Sequence, residues 1–386
     1  MRQNLHRFSV PILIIFVLGL ILRSFRIGSN YFWVYGLGVA RAAYASSLIG
    51  VLSIVKSHVM AIPLDYNPVW IMGHFSTSEG WLRLPEALWG TLTLAAAYVF
   101  YRDHVSRRSA LFGIFILAIT PILIRYSQEL RFYAPPVFFY ALCTAIGLKA
   151  VRTGTLQLWV TYTLLSIIRV FFHLYVAFAF INVAFSFVSR SLEKKRSLIS
   201  IITSFLFIFG SAVIAVLQFG KLAGNPSGLF DYENPVQVVG ARLGVALPFN
   251  APPEAFIFGL VILLFTLVGP WYFREQLPLA VSALVQTLVI LALDFWRSYF
   301  ASALQLLPLL PMLTLFTAKG VEATLEHISL RNTRGVRRYI PAARVVLLLF
   351  VGSLLLPVPC YRAGKTSTKD ILITLKADWK LENKYG

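Results

Sequence analysis

Charged residues are scarce. They make up 13% of the 386 residues, where a soluble domain carries about 25%. The scarcity is one-sided: 16 Asp+Glu stand against 35 Lys+Arg, for a formal net charge of +19. In a soluble chain such a surplus would point to nucleic acid, but no basic stripe interleaved with aromatics is present, and no nucleic-acid partner is expected. Cysteine is nearly absent, at two residues. Cys143 falls in mid-helix and Cys360 at a helix end, without metal or redox spacing, so no disulfide framework is indicated. The six histidines include no His-x-x-x-His pair, which excludes a helical zinc motif of that kind. There is no internal repeat and no low-complexity linker.

Apolar sequence fills the chain instead. It is 58% hydrophobic, with 31 Phe, 17 Tyr and 8 Trp. Long uncharged runs recur along its whole length, the pattern of a polytopic membrane protein. Spans are predicted near 8–24, 85–101, 109–125, 133–150, 157–171, 172–189, 198–218, 255–273, 277–293, 299–317 and 343–360. The fold class read from this is all-α, a multi-pass protein of about eleven transmembrane helices. The fifth and sixth spans are short, and Arg169 and His173 stand where they meet. Arg2, His6 and Arg7 precede the apolar run Phe8–Leu22, and Arg23 and Arg26 follow it in place of a small-residue cleavage site. The first helix therefore reads as an uncleaved signal-anchor.

Orientation comes from the short loops. Arg102, Arg107 and Arg108, Lys149 and Arg152, the Arg190–Arg196 cluster, Arg274 and the Arg331–Arg338 cluster share one side if the N-terminus is cytoplasmic. An odd helix count then puts the C-terminus outside, in the inner membrane of a cell. The outer face receives segment 25–84, the turn at Tyr126–Arg131, the loop 219–254, the turn at Asp294–Tyr299 and the tail. Residues 1–361 read as one transmembrane domain and 362–386 as a short basic outer tail with a strand-like run at Ile371–Leu375. Within the first outer loop, Leu37, Ala40, Tyr44, Leu48, Val51 and Val55 recur by threes and fours. They predict an amphipathic helix lying in the interface plane. Pro63-Leu-Asp-Tyr-Asn-Pro68 then breaks it with turn chemistry.

Few charges remain for chemistry, and they sit at the outer helix ends. Glu129 and Arg131 lie between Ser109–Ile124 and Phe132–Leu148, two stretches with no charged residue. The plainer reading is an interfacial ion pair, with Tyr126 and Tyr133 as aromatic anchors. The functional reading is a phosphate site, because a guanidinium fork suits phosphate oxygens and Glu129 can orient it. Pro135-Pro136 open the next helix and fix how the turn enters it. Arg297 and Tyr299 form a second outward turn before Pro308 and Pro311, read either as a helix-end anchor or as a second phosphate contact. Asp65 reads as a turn cap or as a carboxylate available as base or metal ligand. His74 and His173 are lone histidines. Glu86, in Arg83-Leu-Pro-Glu86, suits the first turn of a helix by its dipole, which explains it without any function.

In this order the motifs resemble a family. Tyr126-Ser-Gln-Glu-Leu-Arg-Phe-Tyr133 resembles the Tyr-Ser-Gln-Glu-x-Arg-x-Tyr signature of polytopic lipid-linked-sugar glycosyltransferases of the GT-C fold. These are the dolichyl-phosphate-mannose protein mannosyltransferases and their bacterial relatives, including aminoarabinose transferases. Arg83-Leu-Pro-Glu-Ala-Leu-Trp-Gly90, Pro63–Pro68, Phe172-His-Leu-Tyr175 and Arg297-Ser-Tyr299 are similar to further motifs of that family. The resemblance covers roughly residues 8–320. It implies a polyprenyl-phosphate sugar as donor, bound on the outer face, with Arg131 on the donor phosphate, Glu129 orienting it and Arg297 assisting. Tyr133, Tyr299, His173 and His74 are the supporting residues. The partners are then membrane lipid and lipid-linked sugar, with the acceptor unspecified. No cofactor beyond the donor is called for, and a divalent metal is left open.

The chain departs from the family at one place. Phe32-Trp33-Val34 is followed by Tyr35-Gly36, where the family carries the Asp-Glu that supplies its base. A phenol with a pKa near about 10 is a poor base at neutral pH. Three resolutions follow: Asp65 takes the base role, the acceptor needs little help, or the chain binds lipid phosphate without catalysing transfer. The expected function is transfer of a sugar to an acceptor outside the membrane, with Asp65 as the candidate base. The alternatives are an inactive lipid-phosphate-binding or scaffolding member of the same fold and, ranked below it, a lipid or sugar transporter.

Overall fold

The computed structural model describes residues 3–29, 34–57, 63–131, 133–189, 195–219, 277–297 and 307–331. Among them the chain is helical and carries no strand. Helix α1 (Gln3–Ser24) is followed by a first loop holding α2 (Val34–Ala40), a 3-10 turn (Arg41–Tyr44), α3 (Leu48–Ser57) and α4 (Pro63–Gly73). Then come α5 (Glu79–Tyr101), α6 (Arg107–Ile119), its short continuation α7 (Pro121–Tyr126), α8 (Ala134–Thr153) and α9 (Leu156–Val170). A 3-10 stretch (Leu174–Ala179) runs into α10 (Phe180–Ser189), followed by α11 (Lys195–Phe219), α12 (Leu277–Arg297) and α13 (Leu310–Arg331). The predicted spans at 255–273 and 343–360, Phe32, Trp33, Tyr299, Cys360 and the basic tail lie outside the described residues.

Four elements differ from the sequence reading. The single amphipathic helix over 37–55 is broken into α2 and α3. Ala45 is extended (φ −67, ψ 134), and the Ser47 hydroxyl accepts the Gly50 N–H at 3.2 Å, capping α3. The inward positions keep their places, since Leu37, Ala40, Val51 and Val55 are buried. Pro63–Pro68 is helix, not turn. Pro63 takes the first helical position, where its missing N–H costs nothing, and Asp65 falls in the first turn, where the dipole favours an acid. The span 109–125 breaks at Thr120, because Pro121 cannot donate into the preceding turn and pushes Thr120 to an extended conformation (φ −63, ψ 115). Finally, α5 begins at Glu79. Glu79 therefore holds the first-turn position, and the dipole account of Glu86 does not stand.

Packing centres on α5 and α8. Both helices bury several alanines, Ala87, Ala96 and Ala97 on α5 and Ala141, Ala145 and Ala150 on α8, small side chains that let helices pack closely. Leu94, Phe100, Tyr101, Ile114, Leu117 and Met312 form a core joining α5, α6 and α13. Phe139, Trp159, Tyr162 and Phe187 form another among α8, α9 and α10. A third cluster joins the first loop to the bundle through Val51, Val55, Tyr66, Val69, Leu82 and Leu130. Gly154 ends α8 in the left-handed region at φ 69, a conformation glycine adopts without strain.

The C-terminal end of α1 is fixed by charge. Arg23 is fully buried. Its guanidinium donates to the carbonyls of Gly19 (3.1 Å), Ala118 (3.0 Å) and Leu117 (3.4 Å). The last two lie at the C-terminus of α6, the negative end of its dipole, which offsets the buried charge. Among the described residues two helical stretches are long and apolar enough to cross a membrane: Ala134–Thr153, with 78% of its apolar window buried, and Leu198–Gln218, with only 28%. On the second, Ile199, Leu206, Phe207, Phe209 and Leu217 point outward, as do Val10, Leu13, Ile14 and Ile21 on α1.

Candidate active site

The turn between α7 and α8 divides its residues between scaffold and charge. Ser127 donates to the Leu123 carbonyl at 2.6 Å and packs on Gly90 of α5. A Cβ on Gly90 would meet the Ser127 Oγ at 2.0 Å, so that position admits no side chain. Gln128 donates to the carbonyls of Leu22 (3.1 Å) and Phe25 (3.0 Å), taking up orphan acceptors at the end of α1. Leu130 is 1% exposed within the first-loop cluster. Two tight backbone bonds, Arg131 N–H to the Glu129 carbonyl and Tyr133 N–H to the Arg131 carbonyl, fold the turn on itself. The rings of Tyr126 and Tyr133 meet edge-on at 4.7 Å, and the Arg131 guanidinium lies over the Tyr133 ring at 5.5 Å. Glu129 and Arg131 remain half-buried.

Helix α4 brings Asp65 and Tyr66 to this turn, both buried. The contact is made by Tyr66 and Val69 packing with Leu82 and Leu130. At the other side the Leu64 N–H reaches the Phe171 carbonyl at 3.4 Å, tying α4 to the end of α9. Electrostatics show which charges share the space. Burial raises the Tyr66 phenol above its ordinary range, the Asp65 carboxylate raises it further, and Arg131 opposes both. Tyr66 therefore stays a hydrogen-bond donor at neutral pH. Tyr133 feels Arg131, Glu129 and Asp65 together. His173, half-buried after α9, lies within reach of the Arg131 charge. Asp65, Glu129, Arg131, Tyr133 and His173 are thus electrostatic neighbours around this turn.

His74 does not join them. It is exposed at the far end of α4, its Nδ1 2.8 Å from the Trp70 carbonyl and its ring edge-on to that indole. Arg297 is the last residue of α12; its side chain and Tyr299 fall outside the described set. Arg83 is 1% exposed. It donates to the Ile27 carbonyl at 2.8 Å, stands 4.0 Å from Glu79 and has Glu129 as a further electrostatic neighbour, so it ties the exit of α1 to α5 beside the charged turn.

Two residues were missed. One is Tyr66. The other is Glu86, which is 5% exposed, accepts the Ala134 N–H at the start of α8, and has Asp65 as an electrostatic neighbour. The signal for Glu86 was helical spacing. It stands one turn before Gly90, so both face the turn that carries Glu129 and Arg131. Among the described residues no three His, Cys, Asp or Glu side chains gather to hold a metal ion. The cluster can accept a proton at a buried carboxylate, hold an anion at Arg131 and orient a hydroxyl through a phenol.

No protein-family model matches the sequence, and no curated protein matches it. Solved structures do. An oligosaccharyltransferase of Archaeoglobus fulgidus, in complex with Zn and sulfate, superposes with a TM-score of 0.55 at 14% identity, covering 89% of this chain and 52% of that one. The same enzyme tethered to an acceptor peptide containing an NVT sequon gives 0.51 at 13% identity, covering 91% and 55%. ArnT from Cupriavidus metallidurans in the apo state gives 0.56 at 13% identity, covering 95% and 66%. This chain therefore spans about half of the first enzyme and about two thirds of ArnT. At these identities the likeness shows the fold, which is GT-C-like.

Proposed function

We propose that the protein is a membrane glycosyltransferase, moving a sugar from a polyprenyl-phosphate donor to an acceptor on the outer face of the membrane. The observation that carries this reading is the convergence of Asp65 and Arg131. They come from separate elements, yet both act on Tyr66 and Tyr133. A buried carboxylate beside an anchored guanidinium is what an acceptor hydroxyl and a leaving phosphate require. The GT-C-like fold supports the same reading.

In this scheme the acceptor oxygen attacks the anomeric carbon as the bond from that carbon to the phosphate oxygen breaks. The phosphate leaves with the electron pair, and Arg131 offsets its charge. Glu129 orients Arg131, and Arg297 contributes a second positive charge from the end of α12. Asp65 takes the acceptor proton, with Tyr66 orienting the hydroxyl. The configuration at the anomeric carbon inverts.

The outward apolar faces of α1 and α11 support insertion in a bilayer, where they need no aqueous cover. The basic connections support a cytoplasmic N-terminus, and an odd number of spans puts the C-terminus outside. The test uses protein reconstituted in liposomes with a radiolabelled polyprenyl-phosphate sugar. Arg131→Ala is expected to lower donor consumption by about 10²-fold or more, as when a transition-state charge contact is removed, with the helical circular dichroism unchanged. Full consumption in that variant would sink the assignment.

A second reading is favoured by Tyr35-Gly36 at the family's Asp-Glu position. It is a protein of this fold that binds lipid phosphate without transfer. In the same assay Asp65→Asn separates the two: loss of transfer supports the enzyme, and a wild type that binds but never consumes donor supports the binding protein.

A further inference from the structure

We infer that Arg169 holds a small inorganic anion, of the size and charge of chloride, inside the helical bundle. This site is independent of the function proposed above.

Arg169 stands in the last turn of α9, where an arginine ordinarily snorkels to the membrane surface. This one does not. It is 0% exposed, and its guanidinium lies 5.9 Å from the centre of the Tyr162 ring, seven residues back along the helix. The side chain is turned down α9 into the bundle. Its Nε, Nη1 and Nη2 are buried, and none has a hydrogen-bond partner among the described residues. The other deeply buried arginines differ. Arg23 donates to three carbonyls, and Arg83 donates to that of Ile27. A buried cation with neither counter-ion nor acceptor is costly in a membrane helix, and such residues mark sites for ions or polar ligands.

The face around Arg169 is made of further donors. Trp159, Tyr162, Ser166 and Arg169 recur by threes and fours on the buried side of α9. The rings of Trp159 and Tyr162 meet edge-on at 6.1 Å. The Trp159 Nε1, the Tyr162 hydroxyl and the Ser166 hydroxyl are buried, and they too lack a hydrogen-bond partner among the described residues. Helix α8 closes this face. Cys143 packs in one cluster with Trp159 and Tyr162, and a Cβ on Gly147 would meet the Tyr162 ring at 2.9 Å. Ser166 and Arg169 stand beside the Tyr162 hydroxyl and the Cys143 thiol, yet the polar atoms do not pair with one another. Among the described residues no Asp or Glu acts on Tyr140, Cys143 or Tyr162; the charge they feel is that of Arg169.

The donor set selects the ligand. Guanidinium and indole N–H groups only donate, and hydroxyls donate as readily as they accept. Water would take up these hydrogen bonds and leave the charge uncompensated. An anion answers both needs at once. Burial sets its size. Trp159 is 2% exposed and Cys143, Tyr162, Ser166 and Arg169 are 0% exposed, so nothing trailing a chain into lipid or water fits. A monatomic, monovalent ion needs no such opening and no fixed orientation. The Arg169 carbonyl accepts the N–H groups of Phe172 and His173, each at 3.0 Å. An ion held here therefore steadies the turn that carries His173.

Chloride binding to the full chain in detergent tests this. The protein is exchanged into isethionate, an anion too large for the enclosed site. It is then titrated calorimetrically, with chloride replacing isethionate at constant ionic strength. Saturable binding of one chloride per chain is expected, with a higher melting temperature in chloride than in isethionate. Arg169→Leu keeps an apolar side chain without the charge and should lose both effects. If Arg169→Leu fails to fold, Ser166→Ala and Tyr162→Phe, each lacking one hydroxyl, should each weaken chloride by about tenfold, as for a lost hydrogen bond to a charged group. No saturable binding together with equal melting temperatures means that the guanidinium is hydrated only, and overturns the inference. Chloride binding that survives Arg169→Leu, or that neither hydroxyl variant weakens, lies elsewhere and overturns it as well. None of these measurements involves a sugar donor, so the proposed function stands or falls on its own test.

Discussion

At the scale of the residue, the turn at Tyr126–Tyr133 is mostly carpentry. Ser127, Gln128 and Leu130 hold it against α5, α1 and the first-loop cluster, leaving Glu129 and Arg131 to face the site. Gly90 is the counterpart of Ser127. A methyl group there would also approach the Ser127 Cβ at 2.7 Å and the Arg23 Nε at 2.9 Å. Gly90→Ala is expected to cost about 1–3 kcal/mol, the range for overpacking a filled core, read as a lower melting temperature in detergent. The charge pair was legible because it stands alone between apolar runs. The division of labour was not, because Ser127 and Gln128 act on α5 and α1, far away in sequence. Glu86 was explained away for a local reason that vanished once α5 was seen to start at Glu79.

At the scale of the element, apolar runs located most helices, and side-chain chemistry decided where they broke. Pro121 and Ser47 set breaks that hydropathy averages over. The junction at Arg169 and His173, read from two short runs, stands between α9 and the 3-10 stretch before α10. What hydropathy could not show is the polar tie inside the bundle. Asn182 on α10 donates to the Tyr140 hydroxyl at 2.8 Å and to the Thr144 hydroxyl at 3.1 Å. Its carbonyl accepts from Ser282 and from Gln286, each at 2.6 Å, and Tyr140 donates back to Gln286 at 3.1 Å. Helices α8, α10 and α12 are joined by this closed set, and a half-broken network costs more than none. Asn182→Leu should destabilise by about 1–3 kcal/mol in unfolding from detergent. Adding Gln286→Leu should recover part of that loss, because it removes a stranded partner.

At the scale of the whole molecule, connections on one side are tied by charge and the site lies at the other. Arg152, at the end of α8, pairs with Asp103, just after α5, among the basic residues assigned to the cytoplasm. Thr155 is exposed beside that pair, and Thr77 is exposed between α4 and α5. With Cys360→Ser to remove the second native thiol, and Cys143 buried, a membrane-impermeant maleimide added to intact cells should label Thr77→Cys. It should reach Thr155→Cys only after permeabilisation. The reverse pattern would put the site inside.

The two hydrogen bonds of Gln128 also set a timetable. The glutamine and Leu22 are 106 positions apart, and translation runs at about 5–20 residues per second. For roughly 5–20 s after α1 has been made, its last carbonyls wait for the side chain that closes them. The α6 carbonyls that hold Arg23 arrive nearly as late. The first helix and the charged turn are therefore finished together, and an error in inserting the early helices is an error in building the site.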